Sequence, residues 1–244
     1  MSTIITPPIF KLFPAIRAGM TTRGRGSDPM RDNMSMAVGD DPARVTARRT
    51  RFAGRLGFEA ELLALQRQVH GDTVVEVGDG YEAGESDGMI SNVPGLLLAV
   101  SIADCGPVLM YEPEANAVAA VHSGWRGTAQ GIAANAVEAL RQRFGADPAR
   151  LHAWIGPAAG ACCYEVGPDV SDRFDPRYSR PLGGDRSLFD NRGVILDQLR
   201  GVGIPSAQIA LDIRCTICSD RFHSYRRDGA RSGRMLAAVG IVEP

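Results

Sequence analysis

Three short segments place soft or ionisable side chains at the ends of apolar runs, each followed closely by glycine. They are Gln68-Val69-His70-Gly71, Ala103-Asp104-Cys105-Gly106-Pro107 and His122-Ser123-Gly124-Trp125-Arg126-Gly127. Imidazole and thiolate both suit zinc, and two histidines with one cysteine (His70, Cys105, His122) leave a fourth tetrahedral position open, as catalytic rather than structural sites do. In an open position a water is acidified to a pKa of about 7, or a substrate oxygen is polarised. Cys105 with His122 also suits a hydrolase, the thiol as nucleophile and the imidazole as base. His70 discriminates between the two, because such a dyad has no need of it. A non-enzymatic binding module closed around zinc is the third reading, and it would lose its fold on chelation. The separations along the chain follow no local ligand rule, so spacing alone leaves all three open.

Other chemistry-bearing residues carry weaker signals. Asp104, beside Cys105, is a candidate to orient the site through a hydrogen bond to a ligand. Arg126, four residues beyond His122, and the group Arg226, Arg227 and Arg234 are candidate anion contacts, since guanidinium groups grip phosphate in a bidentate way. Cys162-Cys163 in a Gly-rich loop reads as packing or a turn. Cys215-Thr216-Ile217-Cys218 is a lone CxxC, weak evidence for metal or redox chemistry without a second pair. His152, inside an apolar run, reads as a satisfied core or edge histidine, and Trp125 serves equally for packing or base stacking.

Composition narrows the class. The chain has 244 residues, 44% of them hydrophobic, and a formal net charge of −1. That balance provides no global field to hold nucleic acid or a membrane surface. Five cysteines in a chain of this length do not form a disulfide framework. Residues 1–20 show no positive segment followed by an apolar one, as a secretory signal would, and the longest apolar stretch, around Gly95 to Ile102, is too short to span a bilayer. The expectation is a cytoplasmic protein with reduced thiols, acting on small molecules; its oligomeric state is not written in the sequence.

The elements that must carry the site follow from periodicity and end signals. Asp41-Pro42 is an N-cap and first helical residue, opening a helix that runs to Leu56 and stops at Gly57. Thr73 to Val77 and Leu96 to Ile102 are β-branched or leucine-rich runs of strand length. Val108 to Tyr111 and Ala117 to Val121 read as two strands joined by the polar turn Glu112 to Asn116. Asn135 to Phe144 has helical spacing and ends at Gly145. Leu151 to Ile155 is a strand, Gly193 to Leu199 a helix ended by Gly201, and Leu236 to Val242 a last strand. Arg180 to Asp185, rich in Gly and Pro, reads as a mobile surface loop rather than a boundary. Helices interspersed with a hairpin predict an α/β (α+β) fold, a layered mixed β-sheet with flanking helices, over residues 1–244 as a single domain.

Longer motifs carry a resemblance. Gln68 to Gly71, Ser86 to Gly88, Leu97 to Tyr111, His122 to Thr128, Ile155 to Gly167 and Cys215 to Arg234 are similar to the YfiH family, also called the laccase-domain or multicopper polyphenol oxidase family. The resemblance implies zinc at His70, Cys105 and His122, and phosphorolysis of purine nucleosides such as adenosine, inosine, guanosine and methylthioadenosine. It also implies adenosine deaminase activity in some members. The fold is similar to that of bacterial deamidases that use a Cys–His pair, and a role in editing peptidoglycan precursors has been attached to bacterial members. A multicopper oxidase needs many histidines, and this chain has four, so copper is the less favoured metal. The chain departs from the family where an Asn-Leu-type segment and a helical Asn-Arg pair are usual, reading Met34-Ser35-Met36 and Arg48-Arg49. His223 stands at a usually aromatic position and is not read as catalytic.

Overall fold

The structure, a computed structural model, describes residues 3–24, 26, 28–78 and 84–243. In chain order the strands are β1 (Ile4–Ile5), β2 (Ile16–Thr21), β3 (Leu63–Ala64), β4 (Val74–Glu76), β5 (Gly88–Ser91), β6 (Leu97–Ile102) and β7 (Gly106–Glu112). They continue with β8 (Ala117–Ser123), β9 (His152–Ile155), β10 (Glu165–Val166), β11 (Ser179–Gly183), β12 (Arg186–Phe189), β13 (Ile209–Leu211) and β14 (Met235–Ile241). The helices used below are α1 (Pro42–Leu56), α2 (Trp125–Ala129), α3 (Ile132–Phe144), α4 (Pro168–Ser171), α5 (Asn191–Gly201) and α6 (Tyr225–Asp228).

Two mixed sheets pack face to face. One runs β1-β2-β14-β6-β3 and the other β13-β9-β7-β8-β5-β4, and a small third sheet, β10-β12-β11, stands apart. Side chains alternate across each strand, so one sheet serves two cores. Met20, Val100, Ala237 and Val239 of the first sheet meet Leu109, Tyr111, Ala120 and Trp154 of the second in the central cluster. On the outer face of the second sheet Val108, Met110, Val121 and Ile155 receive Ala133, Val137 and Leu140 of α3 and Ile195 and Leu199 of α5. On the outer face of the first, Leu97, Ala99, Leu236 and Ala238 receive Phe52, Ala53 and Leu56 of α1. The layer order is helix, sheet, sheet, helices, which is the mixed-sheet layered architecture expected.

Local chemistry sets the element ends. The Asp41 carboxylate accepts from the Ala43 N–H, Pro42 starts α1, and Gly57 closes it in the left-handed region at φ 86°. The hairpin β7–β8 pairs Val108 with Val121 and Glu112 with Ala117, around the turn expected from its polar residues. α5 begins two residues earlier than its periodicity indicates, with Asp190 accepting from the Gly193 N–H, and Gly201 is its last residue rather than its stop. The segment from Arg180 to Asp185 is a correction: instead of a loop it forms most of the hairpin β11–β12, in which Gly183 pairs with Arg186. Gly183 and Gly184 have φ of 113° and 59°, and that freedom lets the chain reverse in two residues.

The central strand β14 pairs with β2 on one side and β6 on the other. Its Gly240 leaves no room for a side chain, since a Cβ there would lie 2.4 Å from the Leu96 carbonyl oxygen and 2.7 Å from Phe58. Gly240→Ala is expected to cost about 1–3 kcal/mol through overpacking, read as a lower denaturation midpoint at unchanged slope in urea.

Candidate metal centre and the pocket around it

His70 lies in the loop after β3, Cys105 in the turn from β6 to β7, and His122 near the end of β8. Paired strands bring these three points together: β7 lies beside β8, and Pro107 is directly opposite His122. The ligand atoms of His70, Cys105 and His122 all lie within 4.8 Å of one another. The two imidazole rings meet edge to face with centroids 4.9 Å apart. Gly124 makes the approach possible, because a Cβ there would sit 3.1 Å from both the Cys105 sulfur and His70 Cδ2. Gly127 does the same one turn on, lying where a Cβ would be 2.6 Å from the Gly71 carbonyl oxygen.

The residue that holds the centre is Asp87, from the Ser86-Asp87-Gly88 segment. Fully buried, its carboxylate accepts the His122 Nδ1–H at 2.7 Å and the backbone N–H groups of Val69, His70 and Gly71 at 3.0, 3.0 and 2.8 Å. This fixes the His122 tautomer and leaves Nε2 as the ring nitrogen free for the centre. Burial raises the Asp87 carboxyl, but the hydrogen bond and charge of His122 outweigh it and hold the group below its ordinary range. Gln68 ties the same loop to the sheet: its amide donates to the Ser101 carbonyl at 2.9 Å and accepts the Ser101 N–H at 2.6 Å. Two centre residues also carry backbone strain, His70 with φ 61° and Asp104 with φ 85°. Conformations of this kind cost about 1–3 kcal/mol and survive where the surroundings over-determine them.

Burial pushes the Cys105 thiol up, yet charge and hydrogen bonding from His122, and then His70, bring it down to about 6. Burial lowers His122, and the neighbouring Cys105 and Asp87 carry it up to about 9. Without metal, the centre is therefore a thiolate–imidazolium pair that titrates as a unit. A preformed thiolate flanked by two imidazoles is the donor set of a soft or borderline divalent ion.

The centre opens into a cavity of about 470 Å³, lined among others by Ser35, Asp104, Tyr164, Tyr225, Arg226 and Arg234. The expected site residues divide here. Arg226 faces the cavity, its guanidinium 5.4 Å from the Tyr164 ring centroid. Arg234, half-buried, also lines it and lies 5.6 Å from the Tyr225 ring. Arg126 stacks 4.3 Å over Trp125 and is not among the residues lining the cavity. Arg227 is a correction to the anion-contact expectation: its guanidinium donates to the carbonyls of Thr216, Ile217, Ser219 and Phe222 and to Asp228. A cation spent on carbonyls this way is a brace for the loop before α6. Asp104 does line the cavity, but its carboxylate accepts from Thr216 Oγ1 at 2.6 Å, Ser224 Oγ at 3.0 Å and the Arg226 N–H at 2.7 Å. The hydrogen bond that orients a ligand of the centre, expected of Asp104, comes to His122 from Asp87.

Neither of the remaining histidines is among the residues lining the cavity. His223 is fully buried, and burial followed by the nearby Arg23 charge pushes it down to about 4, so it stays neutral. His152 Nδ1–H donates to the Arg150 carbonyl at 3.0 Å, at the start of β9. Of the atypical segments, Met34-Ser35-Met36 reaches the pocket through Ser35, and the arginine pair braces it from α1: Arg49 Nε donates to the Met34 carbonyl at 2.8 Å, and Arg48 to that of Asn33 at 3.0 Å. Among the described residues no helix is long and apolar enough to cross a membrane.

The fold and the centre define a two-sheet sandwich with a His–Cys–His candidate metal site in the lining of a pocket. Residues 17–242 match a family model described as multi-copper polyphenol oxidoreductase laccase. The chain is 35% identical to the purine nucleoside phosphorylase YlmD of Geobacillus stearothermophilus, over 95% of this chain and 92% of that protein. It is 38% identical to a purine nucleoside phosphorylase of Deinococcus radiodurans, over 83% and 79% of the two chains. The crystal structure of a Bacillus licheniformis hypothetical protein, YfiH, superimposes with a TM-score of 0.92 at 30% identity, covering 98% of this chain and 96% of that one. The protein belongs to the YfiH family.

Two outcomes test the centre. Asp87→Asn is expected to weaken metal binding by about 10–100-fold, the usual effect of removing a carboxylate behind a histidine ligand, measured by competition with a chromogenic chelator. In chelator-stripped protein, alkylation of Cys105 by iodoacetamide is expected to rise with pH through about 6, because the thiolate forms above that value. A midpoint near 8.5, the ordinary thiol range, would show that the histidine pair does not act on the sulfur.

Proposed function

We propose that this protein is a zinc-dependent purine nucleoside phosphorylase acting in the cytoplasm on adenosine, inosine, guanosine and methylthioadenosine, with adenosine deamination as a second activity. The observation that carries the reading is the union of a His70–Cys105–His122 donor set with a cavity of about 470 Å³ lined by guanidinium and phenol side chains. That volume falls in the range of about 300–1,000 Å³ that takes small ligands. The relatives named purine nucleoside phosphorylase give the substrate class.

Phosphorolysis joins a phosphate oxygen to the sugar C1′ and breaks the bond from C1′ to the base, so the site must hold an anion beside an uncharged nucleoside. Arg226 and Arg234 supply the cationic groups for the phosphate, and the rings of Tyr164 and Tyr225 supply faces against which a purine stacks. Asp104 accepts the Arg226 backbone N–H, which anchors the start of the Arg226 side chain beside the cavity. Zinc fits the donor set better than copper, and when bound it supplies Lewis-acid stabilisation of developing negative charge.

The specific observation behind a second reading is the thiolate–imidazolium pair, which suits a cysteine hydrolase or deamidase with Cys105 as nucleophile and His122 as base, or a hydrolase that edits peptidoglycan precursors. His70 separates the two. Under the phosphorylase reading, His70→Ala loses zinc and turnover together; under the dyad reading it leaves acylation of Cys105 by an electrophilic substrate intact.

The deciding assay follows adenosine and inosine by mass spectrometry with and without phosphate, alongside metal analysis of the same sample. Free base and ribose 1-phosphate that form only with phosphate present would support the proposal; their absence from zinc-loaded protein would overturn it. Arg226→Ala is expected to raise the KM for phosphate by about 10-fold or more, the loss of one charge-assisted hydrogen bond worth about 1.5–3 kcal/mol, with a smaller effect on the KM for nucleoside.

A further inference from the structure

Four of the five cysteines lie outside the centre just described, and the fold gathers all four. Cys162 and Cys163 follow β9, and Cys215 and Cys218 follow β13. These two strands pair in parallel, Ala153 beside Ile209 and Ile155 beside Leu211. The pairing continues beyond the strands as a bridge between Ala158 and Cys215, with the Thr216 N–H donating to the Ala158 carbonyl at 3.0 Å. The two loops therefore leave the sheet side by side, and the Cys-Cys pair meets the CxxC turn.

The four sulfurs are gathered closely enough to share one ion. All four sulfurs lie within 4.8 Å of one another. Cys218 Sγ stands 2.8 Å from Cys163 Sγ and 3.4 Å from Cys162 Sγ. It thus faces two thiols at once, which a single disulfide would not satisfy. A Zn–S bond of about 2.3 Å in a tetrahedron sets sulfurs roughly 3.8 Å apart, inside the same envelope. The Gly160 N–H donates to Cys215 Sγ at 3.3 Å, a bond that favours thiolate over thiol. Gly160 also has to be small: a Cβ there would lie 3.2 Å from Cys215 Cβ and 3.4 Å from Cys162 Sγ. Arg192, 8% exposed, packs its guanidinium against the same glycine, placing a buried cation beside what would be an anionic cluster.

We propose that Cys162, Cys163, Cys215 and Cys218 form a second, structural metal site, a closed tetrathiolate that binds one zinc ion and clamps together the two loops, one of which reaches the cavity through Tyr164. The clamp bears on the cavity through two neighbours. Tyr164, next to Cys163, lines the cavity, and Thr216, next to Cys215, donates to the Asp104 carboxylate. A closed four-sulfur sphere leaves no position for substrate, so this ion holds shape while the His–Cys–His centre remains open.

The test counts metal in protein purified under reducing conditions with zinc. Wild type should carry two zinc ions per chain by mass spectrometry, and His70→Ala/His122→Ala should keep one. Cys162→Ser/Cys218→Ser, which changes the two exposed cysteines, should also keep one and should unfold at lower temperature. Cobalt loaded into the histidine double variant should show the intense visible absorption of a tetrahedral thiolate complex. A histidine double variant that binds neither zinc nor cobalt overturns the proposal. So does a cysteine double variant with the metal content of wild type, or a wild-type chain in which two of these cysteines resist alkylation as a disulfide until strong reductant is added.

Discussion

A single buried carboxylate organises the functional end of this molecule. Asp87 has no exposed surface, yet it accepts three consecutive backbone N–H groups from the loop carrying His70 and the ring N–H of His122. An ionised carboxylate out of water is tolerated only when its lone pairs are filled in this way. The same four bonds that satisfy Asp87 also hold His70 in a left-handed conformation and turn His122 Nε2 toward Cys105. The geometry of the centre is thus the solution to a burial problem, and a ligand set separated by long stretches of chain is fixed by one residue that is not itself a ligand.

The layered sheets supply the rigidity that this arrangement needs. β7 and β8 are buried along their whole length and lock Cys105 and His122 in register. Strain accumulates beside them, in His70 of the loop after β3 and in Asp104 of the turn before β7, and each strained residue is over-determined by bonds from elsewhere: Asp87 for one, Thr216, Ser224 and the Arg226 N–H for the other. Strain at a site held by rigid elements is the pattern expected where function, not stability, chose the backbone.

The Cys105 sulfur in the pocket lining explains why this family invites different chemical descriptions. A sulfur lowered by two imidazoles is at once a metal ligand and a nucleophile, and four histidines in the chain are too few for several coppers. What separates the possibilities is not Cys105 or His122, which every reading uses, but His70, whose placement beside both is costly in backbone strain and pointless for a dyad. The pocket's other wall depends on loops after β9 and β13, so its shape answers to elements remote from the centre itself.

Much of the fold was legible along the chain because it is written in local terms. Asp41-Pro42 and Gly57 bound α1, the polar turn from Glu112 marks the β7–β8 hairpin, and the end-of-strand positions of His70, Cys105 and His122 mark the site. Local signals failed where partners lie far apart in sequence. Gly183-Gly184 reads as a loop until β12 is found to pair with β11, and Arg227 reads as an anion contact until five acceptors from its own neighbourhood are found to occupy it. Asp87 is an ordinary Ser-Asp-Gly aspartate until β5 and β8 carry it to His122, 35 residues away. Cys162-Cys163 and Cys215-x-x-Cys218 are two weak motifs until parallel pairing of β9 with β13 makes them one cluster. Residue type and the hydrophobic period set which segments can form elements and which side chains can do chemistry. Which of those side chains meet is decided by strand pairing, a non-local choice that only the packed chain makes.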